Sequence, residues 1–219
     1  QEFKDAYRKG IDEGWLSTSC KPEHGGMGVP TFFQAVTWAE FGTSACMALS
    51  VLPALSIGVY EVLAANGRQD LIDYFASNLA SGEWAGTMCL TEPHAGTDLG
   101  IITTRAEPED DGTYRISGTK IFITYGEHDM AENIVHLVLA KAPGGPEGTK
   151  GISLFLVPKY LPAEWESGGV EGISHDLVSE HNGVTCSGSE EKMGLHASPT
   201  CVMNFDDSVG WLVGPLHGG

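Results

Sequence analysis

A chain of 219 residues with 42% hydrophobic side chains and a formal charge of -17 has room for one large domain or two small ones around an ample core. So acidic a balance argues against a nucleic-acid partner, because phosphate binding runs on Lys and Arg releasing counterions; it fits a cytoplasmic protein. No apolar run supplies the roughly 20 residues of a membrane span, the longest candidate (residues 45–63) being interrupted by Ser50, Pro53, Ser56 and Gly58.

The elements read as follows in chain order. Phe3, Tyr7, Ile11 and Trp15 recur every four residues, which predicts one face of a helix. "KPEHGGMGVP" breaks that period with Pro22, Pro30, Gly25, Gly26 and Gly28. Thr31 is placed to cap a second helix with Phe32, Ala35, Val36 and Ala39 as its apolar residues. A third helix is predicted over residues 47–65, kinked or divided at Pro53 and closed by Gly67 in a left-handed conformation. "RQDLIDYFASNLASG" carries Leu71, Phe75 and Leu79 at helical spacing and stops at Gly82. After Gly82 the pattern becomes strand-like: "TMCLT", "ITTRAEP", "DDGTYRIS", "TKIFIT", "IVHLVLAKA", "GISLFLVPK" and "TCVMNF". Asp111-Gly112 and Ser117-Gly118 supply tight turns between them. "APGGPEGTKG" reads as a loop, and residues 161–189 as an irregular surface excursion rich in Gly and Ser. Helices first and strands second is the order of an α+β protein, not of alternating β-α-β units.

Several chemistries find no support. There is no G-x-G-x-x-G between a strand and a helix, no P-loop and no G-x-S-x-G. Cys20, Cys46, Cys89, Cys186 and Cys201 are scattered, with no C-x-x-C pair, and read as reduced, partly buried thiols. His175 and His181 flank Asp176 and Glu180, but the spacing fits no helix-borne zinc motif, and no metal is expected. His128, among the carboxylates of "GEHDMAEN", reads as part of a polar loop.

"MCLTEPHAGTDLG" is different. It opens as a strand, breaks at Glu92-Pro93 and continues through Gly96, Thr97 and Asp98. A strand ended this way leaves main-chain N–H groups without ladder partners. Gly96 removes a side chain where something approaches the main chain, and Thr97 adds a hydroxyl. Such a set cradles anionic or carbonyl oxygens. "KIFIT" offers a second strand that ends in a hydroxyl after an aromatic residue.

Together these stretches resemble the acyl-CoA dehydrogenase flavoproteins. "LTEPHAGTD" is similar to the family's L/V-T-E-P-x-A-G-S/T-D signature and "GTKIFIT" to its G-x-K-x-W/F-I-T strand. "EEKMGLHASPTCVMNFDD" resembles the close of its middle β domain, and "PEHGGMG" its N-terminal P-E-x-x-G-G-x-G turn. The four fall in family order. The stretch from "EHDMAENIVHLVLAKAP" to "GTKGISLFLVPK" is closest to the subgroup that contains 3-methylmercaptopropionyl-CoA dehydrogenase.

The resemblance implies a helical N-terminal domain over residues 1–82 and a mainly antiparallel, β-barrel-like middle domain over residues 83–219. It also implies FAD as cofactor. Met88, Leu90 and Thr91 match the strand that donates to the pyrimidine end of the flavin. Gly96 and Thr97 match positions at its pyrophosphate, with Thr97 also near the CoA ester. Phe122, Ile123 and Thr124 match the strand flanking the ring; many relatives have Trp where Phe122 stands.

The implied reaction is α,β-dehydrogenation of an acyl-CoA, with electrons passing to an electron-transfer flavoprotein and the enzyme assembled as a homodimer or homotetramer. The catalytic glutamate of such enzymes lies in a C-terminal four-helix domain, here expected beyond Gly219. Glu92 is no substitute, since it matches a structural turn residue. The start at Gln1 suggests that the first family helices are missing as well, so residues 1–219 read as a fragment, inactive alone and weak in FAD binding. Two alternatives stand beside this reading: an acyl-CoA oxidase or related flavin monooxygenase, and a truncated, non-catalytic interaction module.

Overall fold

Four helices precede nine strands in a computed structural model of the chain, which describes residues 1–44, 47–163 and 178–218. Helix α1 (Glu2–Asp12) buries Tyr7, whose hydroxyl donates to the Gly82 carbonyl at 2.9 Å. It stops short of the predicted Trp15. Gly14 takes a left-handed φ of 73°, Trp15 starts a 3-10 turn, and its side chain is 45% exposed. Helix α2 (Thr31–Ser44) begins where predicted, but its expected core face is turned outward: Phe32, Val36 and Ala39 are exposed, and Gln34 is buried instead. No described residue covers that face, so the apolar spacing alone did not say which way the helix would turn.

Helix α3 (Met47–Asn66) runs through Pro53 as one helix of 20 residues, neither ended nor divided there. It is long and apolar enough, by length and composition, to cross a membrane. Here, however, Leu52, Val59, Tyr60 and Leu63 pack inside the protein, the setting of a core helix. Gly67 is not left-handed; a Cβ there would meet the Leu63 carbonyl oxygen at 2.7 Å, so the glycine answers a close approach. Helix α4 (Gln69–Ser81) ends at Gly82, which is left-handed with φ 88°.

The strands are β1 (Trp84–Cys89), β2 (Arg105–Pro108), β3 (Tyr114–Thr124), β4 (Asn133–Lys141), β5 (Ile152–Pro158), β6 (Tyr160–Pro162), β7 (Val178–His181), β8 (Val184–Ser189) and β9 (Thr200–Val213). Pairing runs β1-β4-β2-β3-β9-β5, and β5 returns to β4, which closes a barrel; β8 adds to the free side of β9. Most pairs are antiparallel, whereas β1 and β4 run parallel. Ser117-Gly118 is not a turn. "DDGTYRIS" and "TKIFIT" join in the single strand β3, with a bulge between Ile116 and Gly118. A Cβ at Gly118 would meet Thr104 Oγ1 at 2.4 Å, so close packing explains the glycine. The expected excursion over residues 161–189 contains strands: β6 pairs with β7, and β8 with β9. His175 and Asp176 lie outside the described residues; His181 packs edge-on against Tyr160.

Alternation along the strands divides the core in two. Trp84, Val135, Leu137, Leu156 and Trp211 face α3 and α4 and meet Leu63, Leu71, Tyr74, Phe75 and Leu79. The other set, with Cys89, Ile116, Ile123, Val138, Phe155, Val157, Met203 and Phe205, fills the barrel. The helices and the sheet thus share one core across Gly82. Gly86 marks their closest approach: its N–H donates to the Ser56 hydroxyl at 3.0 Å, and a Cβ would lie 2.7 Å from Val59 Cβ. Gly86→Ala should therefore lower stability by about 1–3 kcal/mol through overpacking, read as a shifted urea midpoint with unchanged slope.

Candidate functional site

The ends of β1 and β3 come together. The Ile121 N–H donates to the Thr91 carbonyl at 2.9 Å, and the Thr87 hydroxyl donates to the Thr124 carbonyl at 2.8 Å. The two segments therefore run side by side and bring Met88, Leu90 and Thr91 against Phe122, Ile123 and Thr124. Between Lys120 and Ile123 the pairing of β3 with β9 slips by a bulge, and Phe122 holds φ at 59°. A left-handed backbone at a bulky aromatic residue is costly and is seen where the surroundings over-determine it. The bulge turns the Phe122 ring out of the sheet, 56% exposed, beside Met88 at 37%. Ile123 turns inward and is buried in the barrel.

Donors lie on these two segments and on the turn that follows β1. Among the described residues the N–H groups of Leu90, Thr91, Gly96 and Thr97 have no hydrogen-bond partner in the chain, nor do the hydroxyls of Thr91, Thr97 and Thr124. Met88 stays within the ladder, opposite Leu137. Gly96 and Thr97 follow a tight turn in which Glu92 and Ala95 exchange main-chain hydrogen bonds at 2.9 and 3.0 Å. A Cβ at Gly96 would meet only Thr91 Cγ2, at 4.0 Å. The chain itself does not require glycine there, which leaves the space open to a ligand. Unpaired donors around an exposed aromatic floor fit a flat heterocycle with acceptor atoms on its edge, so these residues fit a flavin ring.

Beneath the cradle lies a buried ion pair. Glu92 and Lys120 are 2% and 0% exposed, with Lys120 Nζ 2.9 Å from Glu92 Oε1 and 3.1 Å from the Leu90 carbonyl. The Glu92 carboxylate also accepts from the N–H and hydroxyl of Thr103, at 2.7 and 2.9 Å, and from those of Thr104, at 3.0 and 2.6 Å. Burial alone would raise its pKa, but the hydrogen bonds from Thr104, Thr103 and Lys120 outweigh it and bring it down to about 2. Burial lowers the Lys120 pKa, opposed by the Glu92 carboxylate. Glu92 is thus ionised and fully engaged, and it cannot take a proton at neutral pH. By holding the Leu90 carbonyl, Lys120 fixes the main chain that presents the free donors. Sequence reasoning missed Lys120, Thr103 and Thr104. The available signal was a lysine on the inward side of β3, in step with Ile116, a position that demands a buried anion.

Elsewhere, His128 lies in the loop between β3 and β4, as expected, but half-buried: Nδ1 accepts from the Met130 N–H at 3.1 Å, and burial pushes its pKa down to about 4. Cys20, Cys89 and Cys201 are buried free thiols and Cys186 is half-buried, while Cys46 lies outside the described residues. Among the described residues, no group of three or more His, Cys, Asp or Glu side chains could hold a metal ion.

Comparison with known proteins agrees with this geometry. The acyl-CoA dehydrogenase N-terminal domain matches residues 1–83, and the acyl-CoA dehydrogenase middle domain matches residues 87–208. The 3-methylmercaptopropionyl-CoA dehydrogenase of Ruegeria pomeroyi is 46% identical over 217 residues, which cover 99% of this chain and 35% of that protein. The broad-specificity linear acyl-CoA dehydrogenase of Mycobacterium tuberculosis is 38% identical over 226 residues, covering 100% of this chain and 35% of its own length. The acyl-CoA dehydrogenase of Bacillus anthracis, solved in complex with FAD, shares the fold with a TM-score of 0.77 at 24% identity, over 99% of this chain and 33% of that one. The chain spans about a third of the length of the curated relatives it matches. Both domain matches follow the order of the four motifs and the arrangement of helices and barrel, and the chain belongs to the acyl-CoA dehydrogenase family.

Proposed function

We propose that residues 1–219 carry the flavin cradle of an FAD-dependent enzyme that removes hydrogen from Cα and Cβ of an acyl-CoA thioester. The carrying observation is the meeting of the β1 end with the Phe122 bulge, which puts unpaired donors and an exposed aromatic side chain on adjoining segments. Bound FAD supplies the acceptor for the hydride that leaves Cβ. The chain's own residues hold and orient it. The Leu90 and Thr91 N–H groups and the Thr91 hydroxyl would donate to the ring edge that becomes negative on reduction, which would favour hydride uptake. Phe122 would cover the ring with the Thr124 hydroxyl near it, and Gly96 with Thr97 would receive the pyrophosphate, Thr97 also lying toward the CoA ester. The α proton needs a base, and Glu92, held at low pKa by its donors, does not serve; we assign the base to sequence outside residues 1–219. An electron-transfer flavoprotein as acceptor and a homo-oligomeric holoenzyme complete the proposal.

Flavin titration of this chain tests it. FAD should bind weakly but saturably, and Gly96→Ala should weaken binding by about tenfold or more with stability changed by less than about 0.5 kcal/mol, since the chain has room for the methyl group. A flat titration, or equal affinity in the variant, would remove the cradle. Tight binding by the unmodified chain would contradict a site completed from elsewhere.

A further inference from the structure

Most lysines and arginines of this acidic chain stand in ion pairs. Among the described residues Arg105, Lys141, Lys150 and Lys192 do not. Lys192 is satisfied otherwise, its ammonium donating to the Leu195 and Ser198 carbonyls, each at 2.6 Å. The other three meet at one corner of the barrel. Strand β2 starts at Arg105, directly beside Lys141, where β4 ends. Lys141 also stands opposite Ile152, the first residue of β5, and Lys150 lies on the 3-10 turn just before it.

Arg105 and Lys141 point to the same side. Their neighbours Ala106 and Ala140 fill the barrel, so by alternation both cations face outward. Like charges set side by side on paired strands destabilise, yet no carboxylate offsets these two. Glu107, two positions along β2, and Glu147, in the β4–β5 loop, are exposed nearby but pair with neither. Asp98 is turned to the Gly100 N–H, at 3.0 Å. The corner adjoins the cradle. Lys141 Nζ donates to the Gly100 carbonyl at 2.6 Å, on the loop whose Gly96 and Thr97 keep free N–H groups. A Cβ on Gly100 would lie 3.2 Å from Gly148 Cα, so the loop before β5 closes against it.

We propose that Arg105, Lys141 and Lys150 form a site for the phosphates of an adenosine diphosphate group, which FAD and coenzyme A both carry. The proposal rests on reading the chain as part of an FAD and acyl-CoA enzyme. A chain with a net charge of -17 repels such polyanions at long range, so their phosphates need cations gathered locally. Lys141 uses one of its three N–H donors on Gly100 and keeps two. Arg105 adds a planar donor set suited to two phosphate oxygens at once. Phosphate binding would also relieve the repulsion that the bare corner carries.

Titration of the folded chain with adenosine, ADP and coenzyme A, followed through its amide NMR shifts, tests the site. ADP and coenzyme A should bind saturably, with shifts centred on Gly100, Arg105 and Lys141, and adenosine should bind about tenfold or more weakly. Coenzyme A binding more tightly than ADP assigns the corner to the 3′-phosphorylated nucleotide of the acyl carrier. Equal affinities assign it to the diphosphate that FAD shares. Arg105→Gln with Lys141→Gln should weaken both ligands by about tenfold or more, with urea unfolding showing the fold retained. Lys4→Gln with Lys9→Gln, which removes the same charge from α1, should change neither. No saturable binding of ADP or coenzyme A, adenosine binding as well as ADP, unchanged affinity in the Arg105 and Lys141 variant, or an equal loss in the α1 variant would each overturn the site. No flavin is used, so a flat FAD titration beside intact ADP binding would count against the cradle and not against this corner.

Discussion

Glu92→Ala should lower the unfolding free energy by about 3–5 kcal/mol, among the largest effects of any single substitution in this chain. The carboxylate is the common acceptor for Lys120 Nζ and for the N–H and hydroxyl groups of Thr103 and Thr104. Removing it leaves a fully buried ammonium with only the Leu90 carbonyl as partner and strands donors that water does not reach. Desolvation of such orphaned groups, more than the lost attraction, sets the size of the effect. Lys120→Met should be milder, because Glu92 keeps its four threonine donors. Equilibrium urea unfolding of the two variants decides; Glu92→Ala costing less than Lys120→Met would refute this ordering.

Acid should reveal the same carboxylate. Its folded value, about 2, lies below the ordinary 4.5, so the unfolded chain takes up the proton more readily than the folded one. Glu92's contribution is whole above pH 4.5 and is lost as the pH falls toward 2. His136, pushed from 6.5 to about 3 mainly by burial, adds a loss of the same sign that starts near 6.5. Stability measured from pH 7 to 3 should fall in two stages, and Glu92→Gln should remove the lower one.

The second large effect is expected at Phe122. Its left-handed φ of 59° strains any L-residue with a side chain, by about 1–2 kcal/mol, and glycine removes that strain. Phe122→Gly should therefore keep or slightly raise thermal stability, the greater freedom of the unfolded chain offsetting part of the gain. Flavin affinity should fall by about tenfold to a hundredfold, because an exposed ring that stacks on a ligand contributes about 1–3 kcal/mol. Phe122→Ala should lose the same affinity without the relief of strain. The pair of variants separates a ring kept for contact from one kept for packing: affinity unchanged in both, with stability reduced, would mean that Phe122 serves the fold.

Much of this was legible in the residues. The change from helical to alternating spacing after Gly82 located the helices and most of the strands, because both periods are imposed by burial on one face. Glycine misled more often, since one residue type serves several needs. Ser117-Gly118 read as a turn, yet Gly118 sits mid-strand where Thr104 crowds it; Gly67 read as a left-handed cap, yet Leu63 crowds it. The outward turn of α2 was invisible, because spacing defines an apolar stripe but not what covers it. At the site, Thr91, Phe122 and Thr124 came from motifs, and the structure brings them together. The support beneath them was hidden. Lys120 meets Glu92 across 28 positions and Thr104 meets it across 12, a coincidence that only the closed sheet creates.

Strand β9 has a consequence for how the protein is made. It pairs with β3, β5 and β8 at once, yet it occupies residues 200–213, near the end of the described sequence. A ribosome delivers the other strands first, and until β9 emerges three strands wait with main-chain groups open to any passing neighbour. A nascent chain halted before residue 200 should therefore aggregate or be held by chaperones, while one that has cleared the exit tunnel past residue 213 should resist proteolysis.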